Sequence, residues 1–225
     1  MSREILFPTH LDVLVVPPGQ TSATAELGGA DLFVDGWALE PGVHLHWALP
    51  DPLTQGVPAA GGRHAIALPA VPDRWLVVRI EPPTKAAPTA PRVTRAWVID
   101  SVAQTATELA SWTPTTPAAS AARLTVLGTL PGGVAPVDDA HPENLAIDAA
   151  YYPRAGNRFG FHDALANVSA GKLSYLVIGW YARSDHDPMN VPASVQAAWL
   201  EARRCLVDDG AAGATVTAPI AGLAT

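Results

Sequence analysis

The sequence predicts a mainly β fold, with a β-sandwich or barrel-like body and one amphipathic helix near the C-terminus. Short apolar runs alternate with prolines, of which there are 22 in a chain of 225 residues. Proline lacks the N–H that a central strand needs, so these prolines separate the runs as loops separate strands. Hydrophobic residues make up 48% of the chain and charged residues 16%, which favours a folded core over disorder.

The apolar runs have the length and composition of strands. They are rich in β-branched and aromatic residues and are bounded by turn formers such as Pro17–Gly19 and Gly61–Gly62. Their spacing is typical of a sandwich or barrel. The predicted strands are Leu11–Val16, Leu32–Leu39, Val43–Leu49, His64–Leu68, Trp75–Ile80, Ala96–Asp100, Leu124–Leu130 and Ser174–Tyr181.

Two of these runs, Trp75–Ile80 and Tyr175–Tyr181, are apolar on both faces. A strand of this kind is normally covered on each side, so both are predicted to be central strands. Short helical turns are predicted over Val102–Ala110 and Pro142–Ala150. The segment Asn157–Asp163 is predicted to be a loop whose two phenylalanines close the edge of the core or, as the alternative, are exposed ligand contacts.

One longer helix is predicted towards the end of the chain, starting at Asn190 and Pro192. Its apolar residues recur at steps of three and four and form one stripe. The stripe is made of Val195, Ala198, Trp199, Ala202 and Leu206. Trp199 is the expected anchor on a sheet or a neighbouring subunit. We therefore predict a globular domain over residues 1–209 and an Ala-, Gly- and Thr-rich tail or linker over 210–225.

Charge and cysteine content exclude several classes of function. The net charge is −7, from 14 Lys and Arg against 21 Asp and Glu, and no basic run offers a phosphate-binding surface, so nucleic acid is not an expected partner. The single cysteine, Cys205, cannot form an intrachain disulfide and indicates a reducing environment. The N-terminus lacks the pattern of a signal peptide, and no apolar run is long enough to span a membrane. We expect a cytoplasmic chain.

The segment Gly42–Pro50 alternates strictly, so that His44 and His46 lie on one face of a strand. Two histidines on one strand are half of a typical zinc or iron site on a β scaffold. Glu40, Asp51 and His64 are the nearest candidates for a third ligand, but none has a persuasive spacing. The strand is therefore predicted to be chiefly structural. The alternative is a divalent metal bound by His44 and His46 in a metal-dependent enzyme.

No motif for covalent catalysis or nucleotide binding is present. The sequence has no Gly-x-Ser-x-Gly elbow and no phosphate-binding glycine loop. Ser184, Asp185 and His186 are adjacent in sequence, which does not create the geometry of a triad. Asp185 and Asp187 are predicted to make turn hydrogen bonds before Pro188. No catalytic residue and no cofactor are predicted.

Aromatic side chains outside the predicted strands are the candidates for an interaction surface. The chain has seven tryptophans, and most of them fall in strands, where core packing is expected. Trp112, Tyr151 and Tyr152 lie in predicted loops, and Trp199 lies on the helix. Exposed Trp and Tyr serve protein or carbohydrate contacts. These four residues could therefore bind a protein partner or, in a further alternative, a glycan.

Four sequence blocks together resemble parts of large bacterial proteins associated with phage-tail-like contractile injection systems. The blocks are Gly42–Asp51, Val71–Arg79, Phe159–Asp163 and Leu173–Tyr181. The resemblance implies a structural, docking or cargo-like module of an injection particle or another large assembly, without catalysis of its own. It also implies protein partners, and loading into a particle would explain export without a signal peptide.

Overall fold

The structure is a computed structural model that describes part of the chain. The described residues are 9–19, 39–58, 66–83, 89, 92–126, 128–130, 156–166, 168, 172–203, 206–208 and 215–217. Several predictions fall on other residues: the strand Leu32–Leu39 apart from its last residue, the turn Pro142–Ala150, and Cys205. These predictions lie outside the described residues.

The described residues form a mainly β protein, as predicted. The strands are β1 His10–Val16, β2 Gly42–Ala48, β3 Val57–Pro58, β4 Ile66–Ala67, β5 Arg74–Glu81, β6 Val93–Asp100, β7 Thr105–Glu108, β8 Arg123–Thr125, β9 Gly128–Leu130, β10 Gly160–Asp163, β11 Ser174–Trp180, β12 Leu206–Asp208 and β13 Thr215–Thr217. The α-helices are α1 Asp51–Thr54 and α2 Ala193–Ala202, and 3-10 turns cover Leu109–Ser111 and Ser184–His186.

Two antiparallel sheets carry most of this architecture. The smaller has the strand order β1-β2-β10 and the larger the order β11-β5-β6-β7, while the short strands form the hairpins β3-β4, β8-β9 and β12-β13. Every sheet is open, so among the described strands the sandwich alternative holds and the closed barrel does not. Strand β13 lies within the predicted tail, and its pairing with β12 crosses the predicted boundary at residue 209.

The core lies between the two sheets. Alternate residues of β2, including Leu45 and Trp47, pack against Trp75 and Val77 of β5. The rings of Trp47 and Trp75 lie 5.3 Å apart between centroids, and Phe159 meets Trp75 edge-on at 6.2 Å. Such tilted and edge-to-face pairs add to the free energy gained from burial alone. Every residue of β2 from Gly42 to Trp47 is buried, so this is the central strand of its sheet in packing as well as in order.

Three local predictions are wrong. Val102–Ala110 is mostly not helical, because Thr105–Glu108 forms β7 by pairing with the edge of β6, and only Leu109 and Ala110 belong to a 3-10 turn. Leu124–Leu130 is not one strand, since β8 and β9 fold back on each other. The predicted loop Asn157–Asp163 ends in the strand β10, which pairs with β2. In each case the local conformation depends on pairing with another strand. The hydrophobic pattern of a short segment does not encode this pairing.

Strand β11 and helix α2 also differ from expectation. β11 is an edge strand among the described strands, not a central one. In α2 the predicted stripe is displaced: Val195 is 49% exposed, whereas Gln196 and Leu200 are buried. The Gln196 amide donates to the Met189 carbonyl at 2.6 Å, which satisfies this polar group inside the protein. The helix also ends at Ala202, before the last residue of the predicted stripe.

Candidate functional site

His44 of β2 lies opposite a histidine that sequence analysis did not connect to it. In the β2-β10 ladder His44 pairs with His162, and the two rings stack at a centroid distance of 4.3 Å with 9° between their planes. Antiparallel pairing places the side chains of opposed residues on the same face. His46 lies on this face as well, opposite Gly160. His162 is thus the neighbour that the search for a third ligand missed.

The stacked imidazoles hydrogen-bond to backbone carbonyls. His44 Nε2 donates to the Glu40 oxygen at 2.8 Å, and His162 Nε2 donates to the Pro41 oxygen at 3.1 Å. Burial lowers the pKa of His44, the hydrogen bond to Glu40 opposes this, and the neighbouring His162 lowers it further. Each Nε2 therefore carries a proton and is not presented as a ligand to a metal.

Gly42 allows this arrangement at the start of β2. Its φ of +146° lies in a region that side chains rarely adopt, and a Cβ there would collide with the Asp163 carbonyl and the His162 ring. The backbone of β2 thus approaches β10 closely where the two histidines stack.

The proposed metal ligands do not come together in the described part of the chain. Glu40 contributes its backbone carbonyl to His44, and Asp51 is the exposed first residue of α1. His64 lies outside the described residues. Among the residues that the structure describes, no group of three or more His, Cys, Asp or Glu side chains could hold a metal ion. The histidine face is built chiefly as part of a buried strand.

A buried ion cluster joins the two sheets beside the histidines. Arg79 of β5 has no exposed surface and donates through Nη1 to both oxygens of Asp163 in β10, at 2.9 and 2.8 Å. Its Nη2 donates to Glu81 at 2.8 Å. Burial lowers the pKa of Arg79, but the hydrogen bonds and charges of the two carboxylates outweigh burial and raise it. A buried charge of this kind is tolerated only when it is paired in this way.

Further contacts saturate the carboxylate of Asp163. The Tyr175 hydroxyl donates to Oδ2 at 2.9 Å, and the Leu165 N–H donates to Oδ1 at 2.9 Å. The guanidinium of Arg79 also lies 5.6 Å from the ring centroid of Trp97. Burial, followed by the hydrogen bond to Asp163, raises the pKa of Tyr175. The cluster therefore fixes β5, β10 and β11 relative to one another rather than offering free groups to a substrate.

The larger sheet has an apolar outer face, on the side away from the core. Leu176 of β11 lies beside Val78 of β5, and Ile178 lies beside Leu76. Leu176 and Ile178 are 48% and 46% exposed. On this face, β11 contributes Ser174, Leu176 and Ile178. These three residues and their cross-strand partners in β5 and β6 are all uncharged. We call these three residues and their cross-strand partners the outer face.

The predicted interaction aromatics fall in different places. Trp112 is half-buried and meets Trp180 of β11 edge-on at 6.2 Å, next to the outer face. Trp199 is half-buried against the core, and the Arg203 guanidinium lies 3.9 Å from its ring centroid. Tyr151 and Tyr152 lie outside the described residues. Of the two that the structure describes, Trp112 adjoins the outer face and Trp199 packs against the core.

Of the two aspartates around His186, Asp187 makes the predicted turn hydrogen bond, accepting from the Met189 N–H at 2.8 Å. Asp185 instead pairs with the Arg183 side chain at 2.7 Å. Ser184 and His186 lie in one 3-10 turn. These residues form a loop that ends β11.

Comparisons of the chain with protein-family models, with curated proteins and with solved structures found no match. None of the helices in the described ranges is long and apolar enough to cross a membrane.

Proposed function

We propose that this chain is a non-catalytic docking module that binds another protein component of a large assembly through the outer face. The supporting observation is the exposure of Leu176 and Ile178, whose cross-strand partners in β5 and β6 are all uncharged. Contiguous exposed apolar surface with few charges is characteristic of the centre of protein interfaces. The charged groups of the Arg79 cluster nearby are paired with one another.

The particle context of this proposal rests on the sequence resemblance to injection-system proteins. The four resembling blocks fall mainly on β2, β5, β10 and β11, which are neighbouring strands of the two packed sheets. They therefore belong to one structural unit. On this proposal the assembly is a contractile injection particle, and the chain is a structural or cargo-like part of it.

Co-sedimentation with injection particles from the source organism tests the proposal. The variant Leu176→Glu places a charge on the outer face, where desolvation of an unpaired carboxylate opposes docking. We expect the amount of this chain per particle, measured by quantitative mass spectrometry, to fall about tenfold, which corresponds to about 1.4 kcal/mol of binding free energy.

Val13→Glu is the matched control. Val13 is 51% exposed on β1, in the other sheet, so its replacement adds the same charge at similar exposure away from the outer face. We expect this variant to co-sediment as the wild type does. A wild-type chain that is strictly monomeric and absent from the particles would refute the proposal, and so would an unchanged yield for Leu176→Glu in a folded protein.

A further inference from the structure

Strand β11 forms one edge of the larger sheet. Among the described strands it pairs with β5 on one side only, so its other side presents backbone N–H and C=O groups to a further strand. Its pairing with β5 is continuous over all seven residues from Ser174 to Trp180, without a bulge that would bend the strand away. β11 is therefore a long and regular edge.

The sequence of β11 lacks the features that normally prevent an edge from pairing. Natural edge strands are protected by lysine or another charged residue, by proline, or by being very short. The seven residues of β11 include no charged residue and no proline. The opposite edge of the same sheet, β7, is protected, because it has only four residues and carries the charge of Glu108. Of these two edges, β11 is the one suited to pairing.

A second copy of β11 is complementary to the first in antiparallel pairing. When a two-fold axis passes through the position of Val177, Leu176 of each copy lies opposite Ile178 of the other. Both side chains are about half exposed in the single copy, and this contact would cover part of that apolar surface. On the inner face Tyr175 lies opposite Gly179, so a large ring faces a residue without a side chain. No charge opposes a like charge within the paired strands.

We propose that two copies of this chain associate through their β11 edges, antiparallel and in register about Val177, to form a symmetric dimer. The four strands of each larger sheet then form one continuous sheet. Its two-fold axis is perpendicular to the sheet, so the two outer faces lie on the same side and form one apolar surface. The dimer uses both β11 edges and ends in the protected β7 strands, so association stops there. This dimer goes beyond the proposed docking function, and its test requires no docking partner.

Sedimentation of the full chain measures the dimer dissociation constant, and two double variants test the register. Leu176→Lys with Ile178→Lys places lysine opposite lysine at both symmetric positions, whereas Leu176→Lys with Ile178→Glu places lysine opposite glutamate. Both variants put two charges on the outer face, so loss of apolar surface alone would weaken them equally. Because opposed like charges repel and opposed unlike charges attract, we expect the first variant to have a dissociation constant about tenfold higher than the second.

Hydrogen exchange of the wild type provides a measurement that needs no variant. In the dimer the N–H groups of β11 that point away from β5 are paired, so their exchange should slow as the protein concentration rises. The N–H groups of β7 that point away from β6 are the internal control, and their exchange should not depend on concentration. The proposal is overturned if the wild type remains monomeric at the concentrations used for NMR, if it forms species larger than a dimer, or if both folded double variants dimerise equally. Exchange in β11 that is independent of concentration overturns it even if neither variant folds.

Discussion

Arg79 and Asp163 form an ion pair between the two sheets in which Nη1 of Arg79 donates to both carboxylate oxygens. The two residues are 84 positions apart in sequence, and both are almost fully buried. Glu81 and Tyr175 make further hydrogen bonds to this pair. Replacing such a pair by apolar residues can be harmless, but removing one partner leaves an uncompensated charge. Its members are therefore expected to be sensitive to single substitutions.

The variant Asp163→Asn should be strongly destabilised. It keeps the size of the side chain but leaves Arg79 with one carboxylate, so we expect the free energy of unfolding to fall by about 3–5 kcal/mol in urea titrations. Asp185→Asn is the control, because Asp185 pairs with Arg183 at the surface, where solvent screens the charges, and this variant should lose little stability. Equal losses for the two variants would contradict the structural role of the cluster.

Gly179→Ala should destabilise the protein through Trp75. The two residues are paired across β11 and β5, and the Trp75 ring covers Gly179 so closely that a Cβ would collide with it. Overpacking a filled core typically costs about 1–3 kcal/mol. Gly156→Ala is the matched control, because a Cβ there meets no atom within 4 Å. Thermal unfolding should therefore show a lower midpoint for the first variant alone.

The protein should become less stable as the pH falls below 6.5, the ordinary pKa of histidine. The pKa of His44 is lowered from 6.5 in the folded protein, so below that pH the unfolded chain binds more protons than the folded chain does. The contribution of His44 to stability is fully present above pH 6.5 and is lost as the pH falls towards the pKa of His44 in the folded protein. Burial also lowers the pKa of His186, so this residue too makes the folded protein less stable as the pH falls.

Urea titrations at about pH 7.5 and about pH 5 measure this loss, because the slope of stability with pH reports the difference in bound protons. In His44→Gln we expect a smaller difference between the two pH values. In His10→Gln, where the ring is exposed, we expect the wild-type difference. A difference that is unchanged in His44→Gln would show that His44 is not its source.

The metal alternative predicts a bound ion at His44 and His46. Because His44 Nε2 donates to a carbonyl, we expect protein purified without chelator to contain no stoichiometric zinc, iron or manganese by elemental analysis. The comparison is His46→Ala purified in the same way. One equivalent of metal in the wild type that is lost in this variant would establish the metal site.

Local pattern was sufficient for the strands that form the core. The alternation of Gly42–Pro50 predicts β2, and the apolar runs predict β1, β5, β6 and β11 within a few residues. In these segments the hydrophobic period and the β-branched composition agree, so local preference and burial favour the same conformation. The prediction was poorer where segments were short, as in β7 and β10.

The candidate sites were less predictable than the strands. The neighbour of His44 is His162, and the partner of Arg79 is Asp163, and both pairs depend on the contact of β10 with distant strands. The surface position of Leu176 could not be foreseen either, since an apolar strand has the same sequence pattern whether both faces are covered or one is left open.

The sequence by itself determined the fold class, the positions of the main core-forming strands and the presence of a C-terminal helix, because these depend on composition and short-range periodicity. Tertiary structure alone decided the order of the strands, the face of the helix that is buried, and the contacts of the chemically informative side chains. The physical reason is that pairing and packing join residues far apart in the chain, such as Arg79 with Asp163, whose proximity leaves no local pattern in sequence.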